Sequence, residues 1–205
     1  MKKTQKALIL LLCGALCAVL IIGSCASGGS SAGEGTGEII PGTWTWKGYT
    51  PADKGDGDTS ICNVVIAEEV INGETVTTYS LSGTVTNALQ YGLAECDIVP
   101  DEATLELLKT CKAVSFKVMG DGKRYNLEAP ISTVRDWGFH VFGFEAPVEA
   151  TEYVVQIRMF MQPSWAEAVR FNQTRIEKLI FKTRNQSEGG LGDFSVKIWD
   201  LKLHM

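Results

Sequence analysis

Histidine is nearly absent from this 205-residue chain: His140 and the near-terminal His204 are the two it has. So few imidazoles leave little for general-base chemistry at neutral pH. The Gly-x-Ser-x-Gly string at Gly29-Ser30-Ser31-Ala32-Gly33 falls in a Gly/Ser-rich run with no strand or helix pattern around it, so it is no nucleophile elbow. No His-Glu-x-x-His pair or phosphate-cradling glycine loop occurs. Glu128, Glu145 and Asp136 are the carboxylates that could pair for glycoside hydrolysis, but no spacing in the chain brings them together. No enzyme is expected. Lysine and arginine form no cluster, and 19 basic against 24 acidic residues give a net charge of −5. The electrostatic footprint of a nucleic-acid binder is lacking, so no nucleic acid is expected as a partner. Beyond Ile22 there is no second long apolar run, and nothing further along should span a bilayer.

The N-terminus is different. Three lysines and no acid precede an apolar run from Ala7 to Ile22, the positive and apolar regions of a secretory signal and a short run for a spanning helix. The run ends at Ile22-Gly23-Ser24-Cys25, which resembles the bacterial lipobox: an aliphatic residue, two small ones and a cysteine. That resemblance implies a signal peptide over 1–24 and acylation (diacylglycerol, often with an added palmitate-type chain) of Cys25, so that the partner at this end is the lipid bilayer. The alternative is an uncleaved anchor helix; either places the rest outside the cytoplasm. Removing residues 1–24 with their three lysines leaves 181 residues of net charge −8. Two or three acyl chains at about 0.8 kcal/mol per buried methylene make a lasting anchor. Ala26 and Ser27 are not the aspartate that signals inner-membrane retention in some bacteria, which favours an outer-membrane or surface address in the cell envelope. Residues 25–38 continue as a flexible Gly/Ser linker, and one domain is expected over 39–205.

Within 39–205 the pattern is that of strands. Thr43–Trp46, Ile61–Ile71 and Thr75–Val85 alternate or are β-branched, and Asn72-Gly73 between the last two is a hairpin signal. Ala113–Val118, Arg124–Leu127, Phe139–Phe144, Tyr153–Phe160, Lys178–Thr183 and Phe194–Leu203 follow. In the last, Phe194, Val196 and Ile198 share one parity and Leu201 and Leu203 the other, which predicts a β-bulge at Ile198-Trp199. The one helical candidate is Pro100–Leu108, with acids in its first turn. Many short strands with turns between them predict an all-β fold, an antiparallel sandwich with at most one or two short helices. Cys62, Cys96 and Cys111 remain in this part. An odd count in an oxidising compartment suggests one disulfide and one thiol; Cys96 and Cys111, closer in sequence, are favoured, with separate buried thiols the alternative.

Four stretches carry a family resemblance: Val114-Ser115-Phe116-Lys117-Val118-Met119-Gly120-Asp121-Gly122-Lys123-Arg124-Tyr125; Phe160-Met161-Gln162-Pro163-Ser164-Trp165; Phe171 with Ile176, Leu179 and Phe181; and Gly192 to Leu201. In order and spacing they resemble the galactose-binding-like jelly rolls, specifically the family-11 carbohydrate-binding modules and the complex I intermediate-associated proteins. The resemblance implies a jelly roll whose concave sheet and rim loops hold a glycan, or, from the second family, a protein-interaction or envelope-assembly factor. A sugar offers apolar C–H faces and a belt of hydroxyls, so its binder needs exposed aromatics and polar hydrogen-bonding groups. Arg135-Asp136-Trp137-Gly138-Phe139-His140 supplies that mix, and the expected ligand residues are Asp136, Trp137, His140, Tyr125, Trp165 and Arg158. Tryptophans within strands, namely Trp44, Trp46 and Trp199, read as core or edge cover. Finally, Asp53-Lys54-Gly55-Asp56-Gly57-Asp58 offers hard oxygens. A structural calcium on Asp56, Asp58 and Asp200 is the cofactor reading, and a solvated polar turn is the plainer one.

Overall fold

A computed structural model describes residues 37–185 and 190–205. The signal segment 1–24, Cys25 and the linker as far as residue 36 lie outside the described residues. Eleven strands follow: β1 Ile39–Pro41, β2 Trp44–Gly48, β3 Ile61–Ile71, β4 Glu74–Val85, β5 Leu93–Pro100, β6 Ala113–Gly120, β7 Arg124–Ala129, β8 His140–Glu145, β9 Thr151–Gln156, β10 Leu179–Arg184 and β11 Gly192–His204. Two short helices, α1 Pro51–Lys54 and α2 Glu102–Leu108, interrupt them. The stretch expected as one strand to Phe160 ends at Gln156 and tightens into a 3-10 turn, Ile157–Met159.

The strands form two antiparallel sheets. One runs β3-β4-β11-β6-β9 with β1 added beside β11; the other runs β2-β5-β10-β7-β8. This is the antiparallel jelly-roll sandwich, with alternate residues of each strand directed inward. Leu81, Val114, Phe116, Val155, Val196, Ile198 and Leu203 from the first sheet meet Trp46, Ile98, Tyr125, Leu127, Phe144 and Phe181 from the second in one buried core. Its middle is aromatic: Tyr125 and Phe181 stand 5.2 Å apart, and Phe144 and Phe181 cross edge-to-face at the same separation. The bulge in β11 is present. Trp199 pairs with Lys117 but Lys202 with Ser115, so β11 carries one extra residue, and Asp200 takes a left-handed φ of 55°. The slip turns Leu201 and Leu203 inward after Ile198.

Among the described residues no helix is long and apolar enough to cross a membrane. The favoured Cys96–Cys111 bridge is absent, since all three described cysteines are free and buried. Cys111 follows α2 beyond the Pro100 end of β5, whereas Cys96 lies four residues back along that strand, roughly 13 Å at strand rise. A disulfide needs Cα atoms within about 7 Å. Closeness in sequence was the wrong guide.

Candidate functional site

The outward face of the five-stranded sheet is where polar chemistry gathers. Cross-strand register builds it row by row. Lys47 pairs with Asp97, Asp97 with Ile180, Ile180 with Glu128, Glu128 with Val141, and Val141 bridges to Met161. The next row runs Glu95, Lys182, Asn126, Gly143. All these positions have the parity opposite to the core residues Cys96, Phe181, Leu127 and Phe144. A sheet face turned to water carries charge readily, but here Asp97, Glu128 and Lys182 are buried as well.

They are buried in pairs. Lys182 Nζ lies 2.8 Å from Glu128 Oε2 and 3.2 Å from Glu95 Oε2. Arg184 Nη2 donates to the other oxygen of Glu128 at 2.9 Å. Asp97 Oδ2 accepts from Tyr49 Oη at 2.7 Å and from Lys178 Nζ at 2.5 Å. An unpaired charge in such a place would cost several kcal/mol, so the pairing is what permits the burial. The hydrogen bond to Asp97, with burial, also holds the Tyr49 phenol well above the ordinary tyrosine range. The result is a floor of fixed donors and acceptors, with Tyr49, Glu95, Lys178 and Arg184 partly open to solvent.

Two loops stand beside the floor on its β8 side: residues 130–139, which lead into β8, and residues 162–172, which follow the Met161 bridge. Asp136 clips them together, its Oδ1 accepting from Gly138 N at 3.0 Å and its Oδ2 from Glu167 N at 2.6 Å. Those N–H groups hold its carboxyl below the usual range. Gln162 repeats the clip. Its Nε2 donates to the carbonyls of Gly138 and Glu167 at 2.8 and 2.9 Å, and its Oε1 accepts from Val169 N at 2.8 Å. The loops approach so closely that a β-carbon on Gly138 would stand 2.1 Å from that of Ala166. The braced pair carries Trp137, 76% exposed, and Trp165, 59% exposed. Trp137 sits at a left-handed φ of 63°, a conformation costly for any side chain with a β-carbon.

The residues expected to bind ligand therefore divide. Trp137 and Trp165 are presented to solvent, and Asp136 is the clip behind them. Tyr125 is a correction: it is fully buried on the inward face of β7, and its Oη donates to both Asp121 oxygens at 3.0 and 2.9 Å. Burial and that carboxylate push its phenol up. His140 is a second correction. It is buried on the inward face of β8, 4.7 Å from the Phe171 ring, with no protein partner for Nδ1. Burial lowers its pKa, partly offset by the Val169 backbone. Both share the parity of Leu127 and Phe142, which was visible in the sequence. Arg158 lies on the 3-10 turn after β9, donates to Gln156 Oε1 at 2.6 Å, and takes no part in the floor. The charged floor has no local signature in the sequence, since its ion pairs join residues 54 or more positions apart.

The calcium set does not assemble. Among the described residues no three acidic, histidine or cysteine side chains lie together as a metal site. Asp58 is buried against Lys54 Nζ at 2.8 Å and accepts from the N–H groups of Ser60 and Leu93. Asp56 accepts from Asp58 N. Asp200 is held on β11 by Lys117 at 2.9 Å and Lys202 at 3.4 Å. Lysines already supply the cations.

No family model matches the chain, and no curated protein matches it. Among solved structures it is similar to the family 11 carbohydrate-binding module of the cellulosomal cellulase Lic26A-Cel5E of Clostridium thermocellum: 15% identity, TM-score 0.49, over 82% of this chain and 94% of that one. It is similar also to a family 11 module from Clostridium thermocellum in complex with a β-1,3-1,4-mixed-linked tetrasaccharide, at 14% identity and TM-score 0.48, over 80% and 96%. An exo-β-agarase is similar at 13% identity and TM-score 0.47, over 78% of this chain and 22% of that enzyme.

Proposed function

We propose that this protein is a lipid-anchored envelope protein whose β-sandwich binds carbohydrate without cleaving it. The ligand lies on the outward face of the five-stranded sheet, with Trp137 and Trp165 as stacking platforms at its margin. One observation carries the reading: the two exposed tryptophans of the five stand on loops braced side by side, next to a floor of preorganised donors and acceptors. An indole meets the C–H face of a sugar ring, and Tyr49, Glu95, Lys178 and Arg184 meet its hydroxyls. Preformed ion pairs need no reordering when the ligand arrives, which lowers the cost of binding.

The test is calorimetric titration of the full chain against a panel of soluble polysaccharides, with tryptophan fluorescence in parallel. Binding to at least one polysaccharide is expected, with Trp137→Ala and Trp165→Ala each weakening it about tenfold, roughly the value of one aromatic contact. Absence of heat with every polysaccharide, or variants that bind as the wild type does, would sink the proposal, and release of reducing ends would refute the non-catalytic part.

A second reading rests on β3. Asn72 and Gly73 both have positive φ, at 53° and 85°, so they form a two-residue primed turn and Ile71 and Glu74 exchange hydrogen bonds. Odd-numbered residues of β3 then bond to β4, and Val64, Ile66, Glu68 and Val70 turn their backbone groups outward. Val65, Ile66 and Val70 are exposed along this edge. An envelope protein could add a strand there. Substituting Val70→Lys should then abolish recovery of a membrane partner while leaving polysaccharide binding intact; unchanged recovery would reject this reading.

A further inference from the structure

The two sheets meet at a corner where β2 approaches β3, and two cysteines converge on it. Cys96 of β5 is paired across the ladder with Gly48 of β2. The next residue, Tyr49, accepts from Cys62 N at 2.8 Å through its carbonyl and donates its own N–H to Glu95. Gly48 is pressed directly on Cys62: a β-carbon at Gly48 would stand 2.1 Å from the Cys62 carbonyl oxygen. A single residue without a side chain thus separates the two cysteine backbones. Both thiols point inward, Cys96 between Ala94 and Ile98 in the alternation of β5 and Cys62 on the buried parity of β3, and both belong to the one core. Cys111 is placed elsewhere. It follows α2, its Sγ donates to Leu108 O, and Gln173 Nε2 closes over its carbonyl.

We infer that Cys62 and Cys96 are a disulfide pair, joined when the chain folds in the presence of a thiol–disulfide oxidant, and that Cys111 stays a thiol. In the step the two thiols give up two protons and two electrons and one S–S bond forms. The oxidant, a small-molecule or protein disulfide, takes up both and leaves as two thiols. The bond would tie the edge strand of the six-stranded sheet to the second strand of the five-stranded one. Timing follows from burial. In the folded core burial pushes the Cys62 thiol up to about 12, and burial and then the neighbouring Cys62 push Cys96 up. Thiolate is the attacking species, so exchange in the folded protein is slow and the bond must form while the corner is still open.

The experiment refolds the full chain from denaturant in a mixture of reduced and oxidised glutathione, blocks remaining thiols with an alkylating agent, and maps peptides by mass spectrometry. Cleavage after glutamate separates the two cysteines, because Glu68, Glu69, Glu74 and Glu95 lie between them. A linked pair of peptides carrying Cys62 and Cys96, two hydrogens lighter than their sum, with Cys111 alkylated, is expected. Reducing the bond should lower the thermal midpoint of the wild type, and the Cys111→Ser variant should keep both the link and its thermal effect. Alkylation at both Cys62 and Cys96 after oxidative refolding, or a link through Cys111, overturns the inference. The wild-type map decides the matter even where Cys62→Ser or Cys96→Ser fails to fold.

Discussion

Trp137 shows most sharply how a side chain and its backbone can pull apart. A left-handed φ costs a residue with a β-carbon roughly 1–2 kcal/mol, against about 0.5–1 kcal/mol of extra chain entropy lost by glycine. Trp137→Gly should therefore raise stability by about 0.5–1 kcal/mol in urea unfolding while weakening polysaccharide binding; a loss of stability would mean that the indole is structural. Asp58 is the opposite case, held by its surroundings. Burial alone would raise its carboxyl, but the Leu93 and Ser60 N–H groups and Lys54 outweigh burial and bring it to about 2. Because the folded value lies below the ordinary 3.8, its contribution to stability is complete above about pH 4 and is lost as pH falls through 2. Asp58→Asn should flatten that acid limb. At pH 7 it should cost about 3–5 kcal/mol, since Lys54 is left buried without its counter-charge. Urea midpoints at pH 7 and pH 3 check both.

At the scale of elements, the bulge in β11 sets the register of a whole strand. Deleting Asp200 would remove the extra residue and leave Ile198, Leu201 and Leu203 in one unbroken alternation, all still directed inward. The variant loses the Asp200 ion pairs to Lys117 and Lys202 and is relieved of a left-handed residue. It should therefore keep cooperative unfolding and the near-UV dichroism of the aromatic core, with a stability change of about 1 kcal/mol. A deletion variant that loses cooperative unfolding would refute this account. That bulge was legible because a parity slip is a property of the strand alone. β5 was not: Ala94, Glu95 and Asp97 are weak strand formers, and a central strand with buried acids on its outer side hides its alternation. The charged floor was unreadable for a related reason. Lys182 and Glu128 are 54 residues apart and meet only because β10 lies between β5 and β7, an order that the chain sequence does not announce. Tyr125 and His140 were misplaced by residue type when parity already argued for the core.

On the scale of the whole molecule, the proposed tether sets where the sandwich works. Cys25→Ala should move the protein from the membrane pellet to the soluble fraction without changing its polysaccharide affinity; a variant that still pellets would reject acylation at that residue. The floor has one more consequence. Lys178, Lys182 and Arg184 answer Asp97, Glu95 and Glu128, so the face projects little field beyond its own hydrogen-bonding distance. A ligand is then met by diffusion alone, without long-range steering, and its capture rate should stay flat as salt is raised past the point where the Debye length shrinks below about 8 Å. Such a surface suits an uncharged, hydroxyl-rich polymer, and offers nothing from a distance to a polyanion.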